Sequence, residues 1–338
     1  MQVALAFPAL TSLSPASILL RRFFEDGFNR QSSCCSWGEN LPDSWTSKAR
    51  FQLGKWTFSS LVSSISLLRR LEPEQIEVDG ISLSALRARD GIPYVLLHGF
   101  GDSKESLLLL AAALPREFAP ILIDLPGHGE SAVAPVENLS ILSLRDLVLK
   151  ALLKMGLKRF HLLGHSLGAI LSAFIAQKRP ELVESVVMLN PGGPSGLGRD
   201  VQEALDRGEN PMIPKTEEEF TDFLDFATHR KLPMPGFFRK YMAHRWTRRM
   251  DVLEQYFHAL FVQNTDEQIP DEMKVLHCPG MLIVGMQDRL IHVEDRRFYQ
   301  RYMPDLELVT FPDLGHASHI ENVPHLLFKL HSFLRRHS

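Results

Sequence analysis

The sequence predicts an α/β protein: a mostly parallel sheet with helices on both faces, interrupted by a helical insertion. Three observations carry this. Short runs rich in Val, Ile and Leu, such as "IPYVLLHG" and "APILIDLPG", read as strands buried on both faces. Between such runs lie segments of helical length with apolar residues three and four apart. Strand and helix alternate up to Pro191, give way to helical pattern alone, and alternate again near the C-terminus, the order of a parallel sheet with an inserted cap.

Taken in order, residues 1–72 form an N-terminal extension that caps the core or lies on a membrane surface. Its start, "MQVALAFPALTSLSPASILLRRFF", is apolar but broken by Pro8 and Pro15 and has no basic residue ahead of the apolar stretch, so it fits neither a secretory signal nor a spanning helix. The core begins at 73 and runs to 190. "EQIEVDGISLSALRA" is two alternating strands joined at Asp79–Gly80, a pair suited to the positive φ of a tight turn. "ESLLLLAAALP" and "LSLRDLVLKALLKMG" are helices, the second ending at Gly156. "RFHLLGHS" is a strand, "LGAILSAFIAQKRP" a helix, "VESVVMLNPGG" a strand. The insertion, residues 191–279, opens a helix with the capping pattern Thr216 and Glu219; "LPMPG" breaks it, and "FFRKYMAHRWTRRMDVLEQYFHALFV" resumes as one helix. In the second core part, 280–338, "PGMLIVGMQD" and "LELVTFPDLGH" are strands and "VPHLLFKLHSFLRR" a closing helix.

Composition narrows the function. The net charge is −3 over 338 residues, so no global field favours nucleic acid. Cys34, Cys35 and Cys278 are the only cysteines, too few and wrongly spaced for a disulfide framework or a cysteine-based zinc site. Plain surface thiols are the favoured reading of Cys34–Cys35, with lipidation or redox chemistry as the alternative. The pattern suits a reducing compartment, and the expected location is cytoplasmic or peripherally membrane-associated.

Gly164-His165-Ser166-Leu167-Gly168 is a G-x-S-x-G pattern. Alone it is weak; placed between a strand and a helix it is the setting of a nucleophile elbow. A serine there takes a strained backbone conformation, and side chains two positions away would collide with the turn. Such a serine needs a base. His316, on a Gly-containing loop after the last strand, is favoured over its neighbour His319, because strand-end loops collect functional groups in open α/β sheets. The imidazole needs an acid. Asp288 ends the preceding strand; Asn190, which ends the strand before that, cannot supply the charge, and Asp313 reads as loop support. The order Ser166, Asp288, His316 is that of a known hydrolase arrangement. Backbone N–H groups of Phe100 and Leu167 are the natural oxyanion-hole pair. His98, His128 and Asp124 read as structural.

Together "HGFGDSKES", "DLPGHGES", "GHSLG", "GMQD" and "GHASHIE" resemble the α/β-hydrolase superfamily over residues 73–338. The resemblance implies an eight-stranded, mostly parallel sheet with a helical cap. The nucleophile Ser166 argues against dehalogenases and epoxide hydrolases, which use aspartate. "HGFGDSK" and the cap stretch are further similar to membrane-associated monoacylglycerol lipases. The implied activity is carboxylic ester hydrolysis through an acyl-enzyme on Ser166, on monoacylglycerol or medium-chain lipid esters, with no cofactor and no metal. Two alternatives stay open: cleavage of a carbon–carbon bond beside a carbonyl by the same triad, and a non-catalytic lipid-binding or scaffold protein. Within the cap, Phe237, Phe238, Tyr241, Met242 and Trp246 recur at helical spacing while Arg239, Lys240, Arg248 and Arg249 fall mainly off that stripe. The segment 236–250 is therefore a candidate for peripheral membrane contact, as is the N-terminal extension, with packing of the stripe on the core as the competing reading. Phe220, Phe223, Leu224 and Phe226 are candidates to line an acyl pocket, although ordinary packing is favoured for each.

Overall fold

A computed structural model describes residues 46–136, 139–232, 234–263 and 275–337. Residues 1–45, including the Pro-broken apolar start and Cys34–Cys35, lie outside the described residues.

Eight strands form one sheet: β1 Glu72–Val78, β2 Ile81–Arg87, β3 Ile92–Leu97, β4 Phe118–Ile123, β5 Phe160–His165, β6 Val183–Leu189, β7 Gly280–Gly285 and β8 Leu306–Phe311. Their order across the sheet is β1-β2-β4-β3-β5-β6-β7-β8. Only β2 runs against its neighbours β1 and β4; every other pair is parallel. This is the mostly parallel, eight-stranded arrangement expected. The β1–β2 turn uses Asp79 (φ 51°) and Gly80 (φ 81°), both left-handed, as a two-residue hairpin requires. Central strands β4, β5 and β7 are buried at every position, because helices cover both faces and leave no side of the pleat for water.

The helices are α1 Ser47–Arg69, α2 Leu108–Ala113, α3 Ile141–Lys154, α4 Leu167–Lys178, α5 Arg199–Asp206, α6 Glu217–Ala227, α7 Gly236–Thr247, α8 Met250–Phe257, α9 Arg296–Tyr302, α10 Ser318–Glu321 and α11 Val323–His337. Two apolar clusters flank the sheet. One joins α3 and α4 with the cap residues Leu253, Tyr256 and Phe257; the other holds Leu108, Leu110, Leu326, Leu330 and Phe333 from α2 and α11. Burying such surfaces at about 25 cal/mol per Å² is the main stabilising term.

The cap departs from expectation in its helices. The segment read as one helix after "LPMPG" is two, α7 and α8, separated at Arg248–Arg249 and followed by a π turn at His258–Val262. No Gly or Pro marks that break; the Arg249 guanidinium there donates to the carbonyls of Gly127 (3.2 Å) and Ser131 (3.1 Å), tying the corner to the core. The aromatic stripe of α7 is packed: Phe51 and Phe58 of α1 lie 5.4 and 5.5 Å from Tyr241, and Trp246 meets Phe220 and Phe223 at 5.7 and 5.0 Å. The α1–α7 contact is so close that a Cβ on Gly54 would lie 2.3 Å from the Phe237 carbonyl oxygen.

Candidate functional site

Ser166 follows β5 and caps α4 with φ 52° and ψ −118°, a conformation that L-residues adopt only where surrounding structure enforces it. Two close approaches enforce it. A Cβ at Gly164 would sit 2.1 Å from the Gly168 carbonyl oxygen, and one at Gly168 would sit 2.3 Å from the Leu97 carbonyl oxygen. Only glycine lets the helix start lie against β3 and β5, which thrusts the intervening serine above the sheet. Leu167 is the first residue of α4, where a backbone N–H has no acceptor within the helix.

His316 lies between β8 and α10. Its Nδ1 is 2.7 Å from Asp288 Oδ2, and the two side chains are 6% and 0% exposed. The contact leaves Nε2 as the nitrogen for other work. Asp288 is held from both sides. Its Oδ1 accepts the N–H groups of Leu290 (2.9 Å) and Ile291 (3.2 Å). Its Oδ2 also accepts from Asn190 Nδ2 at 2.8 Å. Asn190, set aside in the sequence as unable to carry charge, thus supplies a donor to the carboxylate; its own oxygen accepts from Ser318 at 2.8 Å. Glu321 was also without an assigned role. Buried at 4% exposure, its carboxylate accepts the N–H groups of Gly315 (2.9 Å), His229 (2.8 Å) and Arg230 (2.9 Å), stitching the His316 loop to the end of α6. The N–H of His316 donates to the Ala227 carbonyl at 2.8 Å. Sequence offered one signal for Glu321, an acid inside the otherwise uncharged run "GHASHIENVP".

The neighbouring groups divide cleanly. His98 Nδ1 meets the Gly99 carbonyl at 2.8 Å and its Nε2 accepts the Leu125 N–H at 3.0 Å; burial holds it neutral, its pKa pushed down to about 4. Asp124 accepts from Lys104 Nζ (2.6 Å) and from the N–H groups of Lys104 (2.7 Å) and Glu130 (2.8 Å). His128 contacts the Pro126 carbonyl at 2.9 Å. All three brace the two loops after β3 and β4. Asp313 pairs with Arg230. His319 is buried, pushed down to about 3 by desolvation, and lies against His165 at a ring-centroid distance of 4.2 Å; its partner is that ring, whereas His316 has the carboxylate.

Ser166, His316, Phe100 and Leu167 line a single cavity of about 640 Å³. Its walls are mainly apolar: Ile141, Ile170, Met212, Phe261 and Leu290 among them, with Arg199, Gln202, Glu203 and His292 at its polar side. The acyl-pocket candidates are not in this lining. Phe220 and Phe223 pack on Trp246, the Phe226 ring lies 4.2 Å from the Arg289 guanidinium, and Leu224 faces a separate small depression. The wall is instead built by Met212 and by Leu260 and Phe261 of the π turn.

The family model for the alpha/beta hydrolase family matches residues 94–329. Among curated proteins, the chain is 28% identical to the dihydrolipoyllysine-residue acetyltransferase component of the acetoin cleaving system of Pseudomonas putida, covering 78% of this chain and 70% of that one. It is 22% identical to the monoacylglycerol lipase ABHD6 of Mus musculus, covering 66% and 69%. The crystal structure of a membrane phospholipase A, described as a novel bacterial virulence factor, superposes with a TM-score of 0.76 at 24% identity over 84% of this chain and 92% of that one; that likeness is one of fold.

Proposed function

We propose that this chain, which belongs to the alpha/beta hydrolase family, is a serine hydrolase cleaving carboxylic esters of lipid type, with monoacylglycerols and medium-chain esters as its substrates. The carrying observation is the strained Ser166 lining a mostly apolar cavity that it shares with an imidazole paired to a buried carboxylate. In this reading His316 Nε2 takes the Ser166 proton as Oγ attacks the ester carbon. The Phe100 and Leu167 N–H groups hold the oxyanion, a contribution of about 3–4 kcal/mol for each donor. His316 returns the proton to the leaving alcohol, and Asp288 stabilises the transient imidazolium. Water, deprotonated by the same imidazole, then releases the acid from the acyl-enzyme. Both curated relatives carry names of acyl-group chemistry, a lipase and an acetyltransferase component, which supports the reaction class and leaves the acceptor to experiment.

The apolar walls support an acyl chain, and the polar side an alcohol with free hydroxyls. No helix among the described residues is long and apolar enough to cross a membrane. Peripheral contact finds its support on α1, where Trp56, Leu67 and Leu68 are exposed, rather than on α7, where Phe238, Tyr241 and Trp246 are engaged with other rings.

The test is hydrolysis of a chain-length series of p-nitrophenyl esters and of monoacylglycerols, with and without liposomes, alongside labelling by a fluorophosphonate. Labelling at Ser166, loss of turnover by about a thousandfold or more in Ser166→Ala with unchanged circular dichroism, and preference for chains of medium length are expected. Preference for short soluble esters indifferent to liposomes would overturn the lipid assignment. A folded protein that takes no label would overturn the enzyme, and a diketone cleaved faster than any ester would transfer the site to carbon–carbon chemistry.

A further inference from the structure

His165, just before Ser166, and His319, three residues after His316, are 6% and 2% exposed, and their rings lie tilted against each other with centroids 4.2 Å apart. Nδ1 of each has no hydrogen-bond partner among the described residues. A buried polar nitrogen left unmatched costs about 1–3 kcal/mol, so two of them on adjoining rings point to a ligand. His165 Nε2 is already used: it lies 3.0 Å from the His316 carbonyl oxygen and must be the N–H bearer, so its Nδ1 is a lone pair. An imidazole whose outer N–H is held by a backbone carbonyl is how metal-binding histidines are oriented. Asp102 brings a carboxylate to the same place, with one donor atom from each of Asp102, His165 and His319 lying within 4.8 Å of the others. Asp102 is half-buried, which gives an ion a way in from solvent.

We propose that Asp102, His165 and His319 form a binding site for a divalent transition-metal ion, zinc by preference, and that its occupation slows the reaction at Ser166. Two imidazoles and one carboxylate with room for a water make a donor set that suits zinc. Tetrahedral bonds of about 2.1 Å set ligand atoms about 3.4 Å apart, so the three residues must draw together around the ion. Each sits on a different segment of the site: Asp102 on the loop two residues beyond Phe100, His165 at the end of β5 beside Ser166, and His319 in α10 three residues beyond His316. Closure on the ion therefore shifts the oxyanion donor and the base relative to the serine. A displacement near 1 Å costs up to about a hundredfold in rate, while the apolar cavity walls stay in place. The metal takes no part in ester cleavage; the site is a brake, and only the effect on rate rests on the esterase reading.

The experiment titrates chelator-treated full-length protein with cobalt(II), then zinc. Expected are one cobalt per chain with visible d–d bands of a low-coordinate site, displaced by zinc. In Asp102→Asn and His319→Gln affinity falls by about ten- to a hundredfold or is lost. In His316→Ala, which keeps the backbone carbonyl, the bands persist. In the unaltered protein zinc lowers kcat about tenfold or more with little change in KM, and chelator restores it. Cobalt bands that survive both Asp102→Asn and His319→Gln, or vanish in His316→Ala, would place the ion elsewhere and overturn the proposal, as would failure of either metal to bind at micromolar concentration. Asp102→Asn alters a half-buried side chain, so the test stands even if His319→Gln does not fold. The cobalt titration needs no turnover, so an inactive protein that binds the ion refutes the esterase reading alone.

Discussion

Asn190 shows how a neutral side chain holds a carboxylate in place. It follows β6 with φ 45°, a conformation that asparagine tolerates better than most residues, and from there donates to Asp288 Oδ2 and to the Gly315 carbonyl (3.3 Å). It is a positioning residue for the acid. A hydrogen bond to a charged group is worth about 1.5–3 kcal/mol. If that loss falls on the transition state, Asn190→Ala lowers kcat by about ten- to a hundredfold with KM nearly unchanged. Asn190→Asp keeps the shape but adds negative charge beside the pair, so the acid limb of the kcat/KM profile should move to higher pH, because nearby negative charge favours imidazolium. Equal, small losses in both variants with no movement of the limb would reduce Asn190 to a structural role. Ser166, Asp288 and His316 could be singled out in the sequence because their residue types and order are themselves the signal. Asn190 could not, because its importance depends on a contact with a residue 98 positions away, which no local pattern records.

At the scale of elements, the turn from β5 into α4 is fixed by backbone contact rather than by side chains. Both glycines of G-x-S-x-G face carbonyl oxygens that cannot rotate away, so Gly164→Ala must displace α4 from the sheet, at a cost of about 3 kcal/mol. Gly80→Ala in the β1–β2 hairpin is the control. There φ is 81° but nothing lies within 4 Å of the new Cβ, and the loss is that of left-handed strain alone, about 1–2 kcal/mol. Urea unfolding of the two variants measures the difference; a loss in Gly164→Ala no larger than that in Gly80→Ala would mean that the close approach of Gly164 to Gly168 relaxes cheaply and does not fix the elbow. Legibility in the sequence follows the same physics. The parallel strands could be read because burial on both faces writes a continuous apolar run bounded by Gly or Pro. The α7–α8 corner could not, because Arg249 makes it through tertiary bonds to Gly127 and Ser131. Nor could the cavity wall: Met212, Leu260 and Phe261 come from separate cap segments, and only the folded chain brings them together.

For the molecule as a whole, the site's surroundings store a dependence on acid. His98, His128, His161 and His319 are buried and neutral, pushed down by desolvation to about 4, 3, 4 and 3, and His165 is lowered well below its ordinary range by the same cause. In the unfolded chain each takes up a proton near pH 6.5. Between about pH 6.5 and 4 the unfolded state therefore binds more protons, so stability is fully present above 6.5 and is lost as pH falls. Asp102 opposes this: burial raises its carboxyl to about 6, so the folded state takes that proton first. Burial raises the carboxyls of Asp295 and Glu321 as well, and three opposing groups against five histidines still leave acid destabilisation dominant. Each histidine contributes a slope approaching about 1.4 kcal/mol per pH unit, and the urea midpoint should fall steeply between pH 7 and 5. His161 allows the cause to be isolated. It lies away from the cavity lining, in β5, with Nδ1 2.7 Å from Ser185 Oγ and its ring stacked on Tyr94 at 5.8 Å. His161→Gln keeps a polar partner for Ser185 and removes the titrating ring, so the slope should drop by about one histidine's share while ester turnover at pH 7.5 is retained. A midpoint flat or rising toward pH 5, or a slope untouched in His161→Gln, would show that these buried rings are not what couples folding to protons.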